Sequence, residues 1–317
     1  IAAVAATWWL ARLVGGPLAG AAAGLLAAIS PAGIDESTFI WNPNLIPAAS
    51  ALAYAGTVMA RRSGRARWWL ASGIGAMVTM QCHVLGVVIV VPLAWAWGSD
   101  LVHRRRAGTP TKGLVRGGLG ALAIIVAGFL PLLVHELGAD FAETRAILGY
   151  VAGGGREAAT GVLDRIVTVG LRSITWPVTG LITDRLVVSL IGAMIVTALG
   201  VIAVVGRRRG TSPAVPGGAA DGSTADGPAV DGAPATIIDL PAVRWLAASL
   251  GYSIVALAVF APSLAVIVPE LPNDHYHAFL DPIVLTLVGV GLARLAGAGA
   301  PAGELPSAPA GEDPLRS

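Results

Sequence analysis

Long apolar stretches separated by short polar ones dominate the chain. A helix needs about 20 mostly apolar residues to cross the hydrocarbon core of a bilayer. Several stretches meet this requirement, and residues 1–11 are typical of the end of a preceding helix, with Trp8 and Trp9 at its interface. The predicted spans are residues 13–30, 43–60, 114–135, 186–206, 245–268 and the slightly short 279–296. The pattern therefore predicts an all-α protein, a polytopic transmembrane helical bundle.

Residues 68–98 form an apolar stretch with polar residues near its middle. It is either one long tilted helix or a hairpin of two short helices that turns near residues 81–83. The basic residues distinguish these interpretations. If Arg12 is cytoplasmic, the hairpin places most of the 21 Lys and Arg residues on the cytoplasmic side, whereas a single span divides them almost equally. The positive-inside rule favours the hairpin, which gives about eight membrane helices.

Three segments lie between or after these spans. Residues 207–243 and 297–317 are rich in Gly, Pro and Ala and have no aromatic residue, so we expect a disordered cytoplasmic linker and a disordered tail. The linker separates a transmembrane region, residues 1–206, from a C-terminal helix pair, residues 244–296. The third segment, 136–185, is predicted to be an extracytoplasmic loop.

The extracytoplasmic loop contains an amphipathic pattern. Apolar residues recur at helical spacing, and polar residues occupy the opposite face. The apolar face comprises Leu163, Ile166, Val167, Gly170, Leu171 and Ile174, and the polar face comprises Asp164, Arg165, Thr168 and Arg172. This pattern predicts a helix lying in the plane of the membrane interface. A packed helix of a small loop domain is the alternative.

Composition supports a membrane location. Charged residues are 13% of the chain, against about 25% in an average globular protein. The mean hydropathy is +0.73, and we expect a multi-pass protein of the plasma membrane. A net charge of +2 argues against nucleic acid as a partner, and the single cysteine, Cys82, excludes an intrachain disulfide or a cysteine metal site.

The less common polar residues gather on the predicted extracytoplasmic side, where a cavity for a polar substrate would open. The candidates for catalysis are Asp35 and Glu36. Either could act as a general base or a metal ligand, and the alternative is that both are ordinary charged residues of a loop. His275 and His277 are two residues apart and would project to the same side of an extended loop, where they could bind a divalent cation. The alternative is that they lie in a solvated loop. The candidates for substrate binding are Asn42, Gln81, His83, Arg165, Arg172, Asp274 and Tyr276.

Several of these residues have a plainer interpretation. Gln81 and His83 would also be explained by hydrogen bonds that pack helices together. Arg165 and Arg172, seven residues apart, could bind a lipid phosphate or form a solvated polar face. Trp176 is predicted to be an interfacial anchor.

Three sequence segments, WNPNLIP, MQCHVLGVVIVVP and HYHAFLDPIVLTLVGVGL, occur in this order. With the predicted topology they resemble the bacterial GT-C membrane glycosyltransferases of the protein-mannosyltransferase-like and lipid A aminoarabinose-transferase-like kind. The resemblance covers most of residues 1–296 through short, degenerate motifs. It implies transfer of a sugar from a polyprenyl-phosphate carrier to an extracytoplasmic acceptor, which could be a lipid, a glycan or a protein.

The resemblance also implies roles for individual residues. Asp35 or Glu36 would match the family's second acidic position. Asp35 is the preferred catalytic candidate of the two, because its short side chain follows Gly33 and would be held more rigidly. The principal catalytic Asp would lie upstream of Ile1, in a segment absent from an N-terminally truncated chain. Gln81, His83 and the HYH segment would surround the sugar or a bound cation.

The residue types are consistent with this chemistry. Displacing a lipid phosphate from a sugar requires a base for the acceptor hydroxyl and positive charge for the departing phosphate. The sequence has no Gly-rich phosphate cradle, which argues against a nucleotide-sugar donor. A transporter or flippase for a lipid-linked precursor is one alternative, although the chain lacks the expected internal repeat. A non-catalytic membrane scaffold is the other, and it would not need the polar cluster.

Overall fold

A computed structural model describes residues 1–38, 41–152, 161–180, 186–205, 238–261, 264 and 275–299; the side chains at 150–152, 186, 275 and 298–299 are not described. These residues form helices and contain no strand. The helices are α1 (Ala2–Ala28), α2 (Pro31–Glu36), α3 (Ile46–Ser63), α4 (Ala66–Cys82), α5 (Val90–Arg106), α6 (Lys112–Gly138), α7 (Ala142–Ala152), α8 (Val162–Thr179), α9 (Leu186–Val205), α10 (Leu240–Phe260) and α11 (Asp281–Gly299). Short 3₁₀ segments are Asn42–Leu45, Val84–Ile89 and His275–Leu280.

Within the described ranges, six helical segments are long and apolar enough to cross a membrane. They are Ala2–Ala28, Val84–Arg106, Lys112–Gly138, Val187–Val205, Leu240–Phe260 and Tyr276–Gly297. The prediction of an all-α, membrane-embedded protein is therefore confirmed.

Helix α1 is broken at Gly16, where φ is 82° and ψ is −174°. Only glycine adopts this conformation readily, and Pro17 begins the next helical arm. A Cβ atom added to Gly24 would lie 3.0 Å from the Trp8 Cβ. In a straight helix these two residues would be about 24 Å apart at 1.5 Å per residue. The two arms of α1 therefore run antiparallel, with the turn slightly later than the boundary near residue 12 that the sequence indicated.

The chain reverses again between α4 and α5. Helix α4 ends at Cys82, His83 has an extended backbone, and the 3₁₀ segment Val84–Ile89 leads into α5. The guanidinium of Arg104, near the end of α5, lies 3.7 Å from the position of a Cβ on Gly64, just before α4. The end of α5 therefore returns to the start of α4, which agrees with the hairpin expected to turn at residues 81–83.

Helices α3, α4 and α6 pack closely through small residues. A Cβ on Gly56 would lie 2.8 Å from the Ser72 backbone nitrogen, so the α3 and α4 backbones are nearly in contact. The Thr57 and Ser72 hydroxyls form a buried hydrogen bond of 2.9 Å across the same contact. Small residues allow membrane helices to approach in this way, which explains much of the high glycine content.

The core of the bundle surrounds α11, which packs against α1, α9 and α8. The span containing α11 is 72% buried inside the protein, whereas the span of α6 is 6% buried. Fully buried side chains in the core include Leu10, Val14, Tyr54, Leu246, Leu257, Ile283 and Val290. Helix α6 is thus peripheral and contacts the bundle mainly through α4.

The bundle has two chemically different ends. We call one the basic end; it contains the α1 turn at Gly16, the α3–α4 loop at Gly64, the α5–α6 loop 107–111 and the start of α10. The opposite end, the site end, contains α2, His83, α8 and the 3₁₀ segments Asn42–Leu45 and His275–Leu280.

The predicted linker boundary at residue 243 is too late. Helix α10 already begins at Leu240, and Ile238 packs against the core. The Asp239 backbone N–H donates to the Val14 carbonyl at 2.9 Å, and its carboxylate pairs with Arg62 at 2.7 Å. These contacts hold the segment before α10 onto the basic end. Residues 297–299 of the predicted tail belong to α11, and residues 207–237 and 300–317, the rest of the predicted linker and tail, lie outside the described residues.

Candidate functional site

The two candidate carboxylates lie on α2 in different environments. Pro31 begins this helix, and the Ser30 hydroxyl accepts a hydrogen bond from the Gly33 N–H at 3.2 Å, which caps its first turn. Asp35 is exposed, whereas Glu36 is only 8% exposed. Helix α2 packs against α8. Burial therefore favours Glu36, rather than Asp35, as the carboxylate that belongs to an internal site.

Two histidines meet aromatic rings at the site end. The His83 Nδ1 accepts a hydrogen bond from the Leu85 N–H at 3.2 Å, and its ring packs edge-to-face on Tyr276 with centroids 5.1 Å apart. His277 is 1% exposed, and its ring lies 6.3 Å from that of Trp176, again nearly perpendicular. His83 and Tyr276, almost 200 residues apart in the chain, are thus brought into contact, whereas the binding roles predicted for His83, Tyr276 and His277 stay predictions.

The predicted metal site stays a prediction. Asp274 and the side chain of His275 lie outside the described residues. Among the residues that the structure does describe, no group of three or more His, Cys, Asp and Glu side chains could hold a metal ion.

Gln81 and Asn42 form hydrogen bonds that join structural elements. The Gln81 amide donates to the Gly128 carbonyl at 2.6 Å and so links α4 to α6, the packing role given above as its alternative. The Asn42 amide donates to the Cys82 carbonyl at 3.2 Å and fixes the 3₁₀ segment Asn42–Leu45 to the end of α4. Both hydrogen bonds stabilise the packing of α4, and the substrate-binding roles predicted for Gln81 and Asn42 stay predictions.

Helix α8 turns its arginine side towards the bundle. Val169, Ser173 and Trp176 are buried, at the i, i+4, i+7 spacing of one helical face. Arg165 and Arg172 lie next to this face and are partly buried, and Arg172 Nη1 donates to the Leu264 carbonyl beyond α10. The two arginines are therefore partly buried rather than fully solvated, and their predicted role in binding a lipid phosphate stays a prediction.

The opposite side of α8 is apolar and exposed. Leu163 is 73% exposed and Val167 is 62% exposed. The inward side, by contrast, packs against α2, α9, α10 and α11. Leu163 and Val167 are therefore exposed, whereas Ile166 and Ile174 of the same predicted apolar face pack against the core.

The inward face of α8 carries hydrogen-bond donors without partners. The Arg165 Nε, the Ser173 hydroxyl and the Trp176 indole N–H are buried, and none has a hydrogen-bond partner among the described residues. Leaving such a buried group unsatisfied costs about 1–3 kcal/mol. A ligand rich in acceptor oxygens would remove this cost.

Sequence reasoning missed Ser173 and gave Trp176 a different role. Trp176 is 3% exposed, so the prediction of an interfacial anchor is wrong. The signal in the sequence was the spacing of Val169, Ser173 and Trp176, which places all three on one face together with the arginines. The apolar stripe on the other side of α8 obscured it.

No family model matches this chain, and no curated protein or solved structure matches it either. The function must therefore be argued from the residues at the site end.

Proposed function

We propose that this protein is a membrane-embedded glycosyltransferase that moves a sugar from a polyprenyl-phosphate carrier to an extracytoplasmic acceptor. One observation carries the proposal: buried Glu36 lies on a helix packed against α8, whose inward face presents unsatisfied donors. Transfer from a lipid phosphate needs both a carboxylate for the acceptor hydroxyl and donors for the phosphate oxygens.

Each group has a distinct role in this proposal. Glu36 accepts the proton of the acceptor hydroxyl or orients that hydroxyl. Arg165 and Arg172 stabilise the negative charge of the departing phosphate, because guanidinium groups match phosphate geometry. The rings of His83 and Tyr276 offer apolar faces with polar edges to the sugar. The sequence-based predictions that His275 and His277 bind a divalent cation and that Asp274 contacts the substrate belong to the same proposal.

The membrane arrangement belongs to the same proposal. Within the described residues, the antiparallel arms of α1 and the shorter helices α3 and α4 add to the five other long spans and give nine membrane helices, close to the eight expected from the sequence. The arginine-rich basic end faces the cytoplasm by the positive-inside rule, so the site end faces the extracytoplasmic side of the plasma membrane. Helix α8 lies at that interface, with Leu163 and Val167 towards lipid.

The test compares two neighbouring carboxylates in full-length protein, assayed in membranes for transfer from a panel of polyprenyl-phosphate sugars. Glu36→Gln should slow transfer by roughly 10²–10⁴, the usual contribution of a general acid–base group. Asp35→Asn is the matched control and should stay near wild type, because Asp35 is exposed. Expression and thermal unfolding are measured for both variants.

Two results would contradict the proposal at different levels. Near-wild-type transfer by the double variant would remove both carboxylates from the mechanism. No transfer by the unmutated protein from any lipid-phosphate sugar would reject the enzyme, and movement of such a lipid across the bilayer would then favour the transporter.

A further inference from the structure

A tight turn with two residues in the left-handed region joins α6 to α7. Asp140 has φ 53° and Phe141 has φ 57°. Neither residue is glycine, so the Cβ atom of each makes this conformation unfavourable. The Phe141 N–H donates to the Glu136 carbonyl at 2.8 Å, which closes the turn. The reversal therefore carries backbone strain that other contacts must offset.

The Glu136 side chain, near the end of α6, binds the start of α7. Its Oε1 accepts a hydrogen bond from the Glu143 N–H at 3.1 Å, and its Oε2 accepts one from the Thr144 N–H at 2.9 Å. These N–H groups lie in the first turn of α7, where a helix offers them no acceptor of its own. In one straight helix, residues 136 and 144 would be about 12 Å apart at 1.5 Å per residue. One carboxylate, only 4% exposed, thus caps α7 and fixes it against α6.

The surroundings of α7 make this contact important. Residues 141–149 are exposed, and α7 packs against the end of α6. The other ionisable residues of the turn and the adjacent helix ends are all exposed, and they are His135, Asp140, Glu143 and Arg145. Positive charge on His135 and Arg145 favours an ionised Glu136, whereas the two acidic neighbours oppose it. Water screens all four charges, so the two backbone hydrogen bonds are the main interactions that hold the Glu136 carboxylate.

We propose that Glu136 is an acid-released clasp: ionised, it holds α7 against the end of α6, and protonated, it lets α7 move away. A proton on either carboxylate oxygen converts an acceptor into a donor that faces a backbone N–H. One of the two hydrogen bonds is then lost, and the strain at Asp140 and Phe141 favours release. The clasp is therefore complete at neutral pH and is lost as the pH falls. This inference does not depend on the glycosyltransferase proposal.

The experiment measures the distance between α6 and α7 by double electron–electron resonance in the purified full chain. Nitroxide labels are attached after Leu130→Cys and Leu148→Cys in a Cys82→Ala background, because both leucines are exposed. In one straight helix these positions would be about 27 Å apart, and the clasp brings them closer. At neutral pH we expect one narrow, shorter distance. Longer distances should appear towards about pH 3, where an ordinary glutamic acid side chain is protonated.

Two variants separate the clasp from a general effect of charge. Glu136→Gln has the size and charge of the protonated side chain, so it should show the longer distances already at neutral pH. Glu143→Gln is the matched control, because the backbone N–H of Glu143, rather than its carboxylate, bonds to Glu136. The control should keep the narrow distance. Thermal unfolding of both variants shows whether the bundle stays folded, and the acid titration of the unmutated residue does not depend on either variant.

Three outcomes would overturn the proposal. A narrow distance in folded Glu136→Gln at neutral pH would show that α7 is held without the carboxylate. A narrow distance in acid with Glu136 unmutated would exclude release by protonation. Equal lengthening in Glu143→Gln would indicate a general effect of removing negative charge from the turn.

Discussion

Trp176 and Trp245 are buried tryptophans with opposite hydrogen-bond status. The Trp245 indole N–H donates to the Pro92 carbonyl at 3.1 Å, whereas the Trp176 N–H has no partner among the described residues. A satisfied donor stabilises the fold, and an unsatisfied one costs free energy until a ligand or water accepts from it. The Trp245 indole therefore stabilises the fold, whereas the Trp176 indole is a candidate for contact with the substrate.

Replacing each tryptophan by phenylalanine should separate these roles. Trp176→Phe should change the free energy of unfolding little and raise the KM for the lipid donor by up to about tenfold, the value of one neutral hydrogen bond. Trp245→Phe, the control, should lower the unfolding temperature and leave KM unchanged. Donor titrations and thermal unfolding of both variants provide the measurements. An unchanged KM for Trp176→Phe would remove the indole N–H from the site.

At the scale of elements, α3 and α4 can pack closely only because glycine residues, which have no side chain, lie where the two backbones meet. A Cβ on Gly75 would lie 2.6 Å from the Ala53 backbone nitrogen and closer still to the Ala49 carbonyl. Backbone atoms cannot move aside as a flexible side chain can, so the two helices would have to separate.

Gly75→Ala should therefore destabilise the protein by about 1–3 kcal/mol, as overpacking usually does. Gly98→Ala in α5 is the matched control, because a Cβ there would meet nothing within 4 Å. Alanine has the higher helix propensity, so this control should be neutral or slightly stabilising. Thermal unfolding in detergent measures both variants. Equal stability of the two would mean that α3 and α4 are not in backbone contact.

At the scale of the whole molecule, the chain reversals at Gly16 and His83 place charges and candidate site residues at opposite ends. Arg62, Arg104, Arg244 and Arg294 lie at the basic end, and Glu36 and the histidine–aromatic pairs lie at the site end. Because the positive-inside rule acts on such an asymmetry, it predicts a single orientation in the membrane.

Cysteine labelling from outside intact cells tests this orientation in a Cys82→Ala background. Ala107→Cys, exposed in the α5–α6 loop, should react poorly with a membrane-impermeant thiol reagent until the cells are opened. Glu143→Cys, exposed at the start of α7, should react at once and serves as the control. Rapid labelling at position 107 from outside would reverse the assigned orientation.

Features that depend on local sequence could be predicted without the tertiary structure. Apolar stretch length determined the all-α membrane class, because the bilayer fixes how many residues a span needs. The positions of the arginines indicated the reversal at residues 81–83. The positive-inside rule places the arginine-rich loops on either side of residues 68–98 on the same side of the membrane. The spacing of residues 163–174 predicted α8, which covers Val162–Thr179. Helical periodicity alone does not say which face is buried.

Tertiary packing decided which polar groups belong to the site. Gln81 bonds to Gly128, 47 positions away, and Arg172 bonds to Leu264, 92 positions away. No local pattern encodes such partners. Asp35 and Glu36 are adjacent in the chain, yet only Glu36 is buried where α2 packs against α8. The arginine side of α8 faces inward while Leu163 and Val167 are exposed, because contacts with neighbouring helices, rather than the helical period, decide which side is buried.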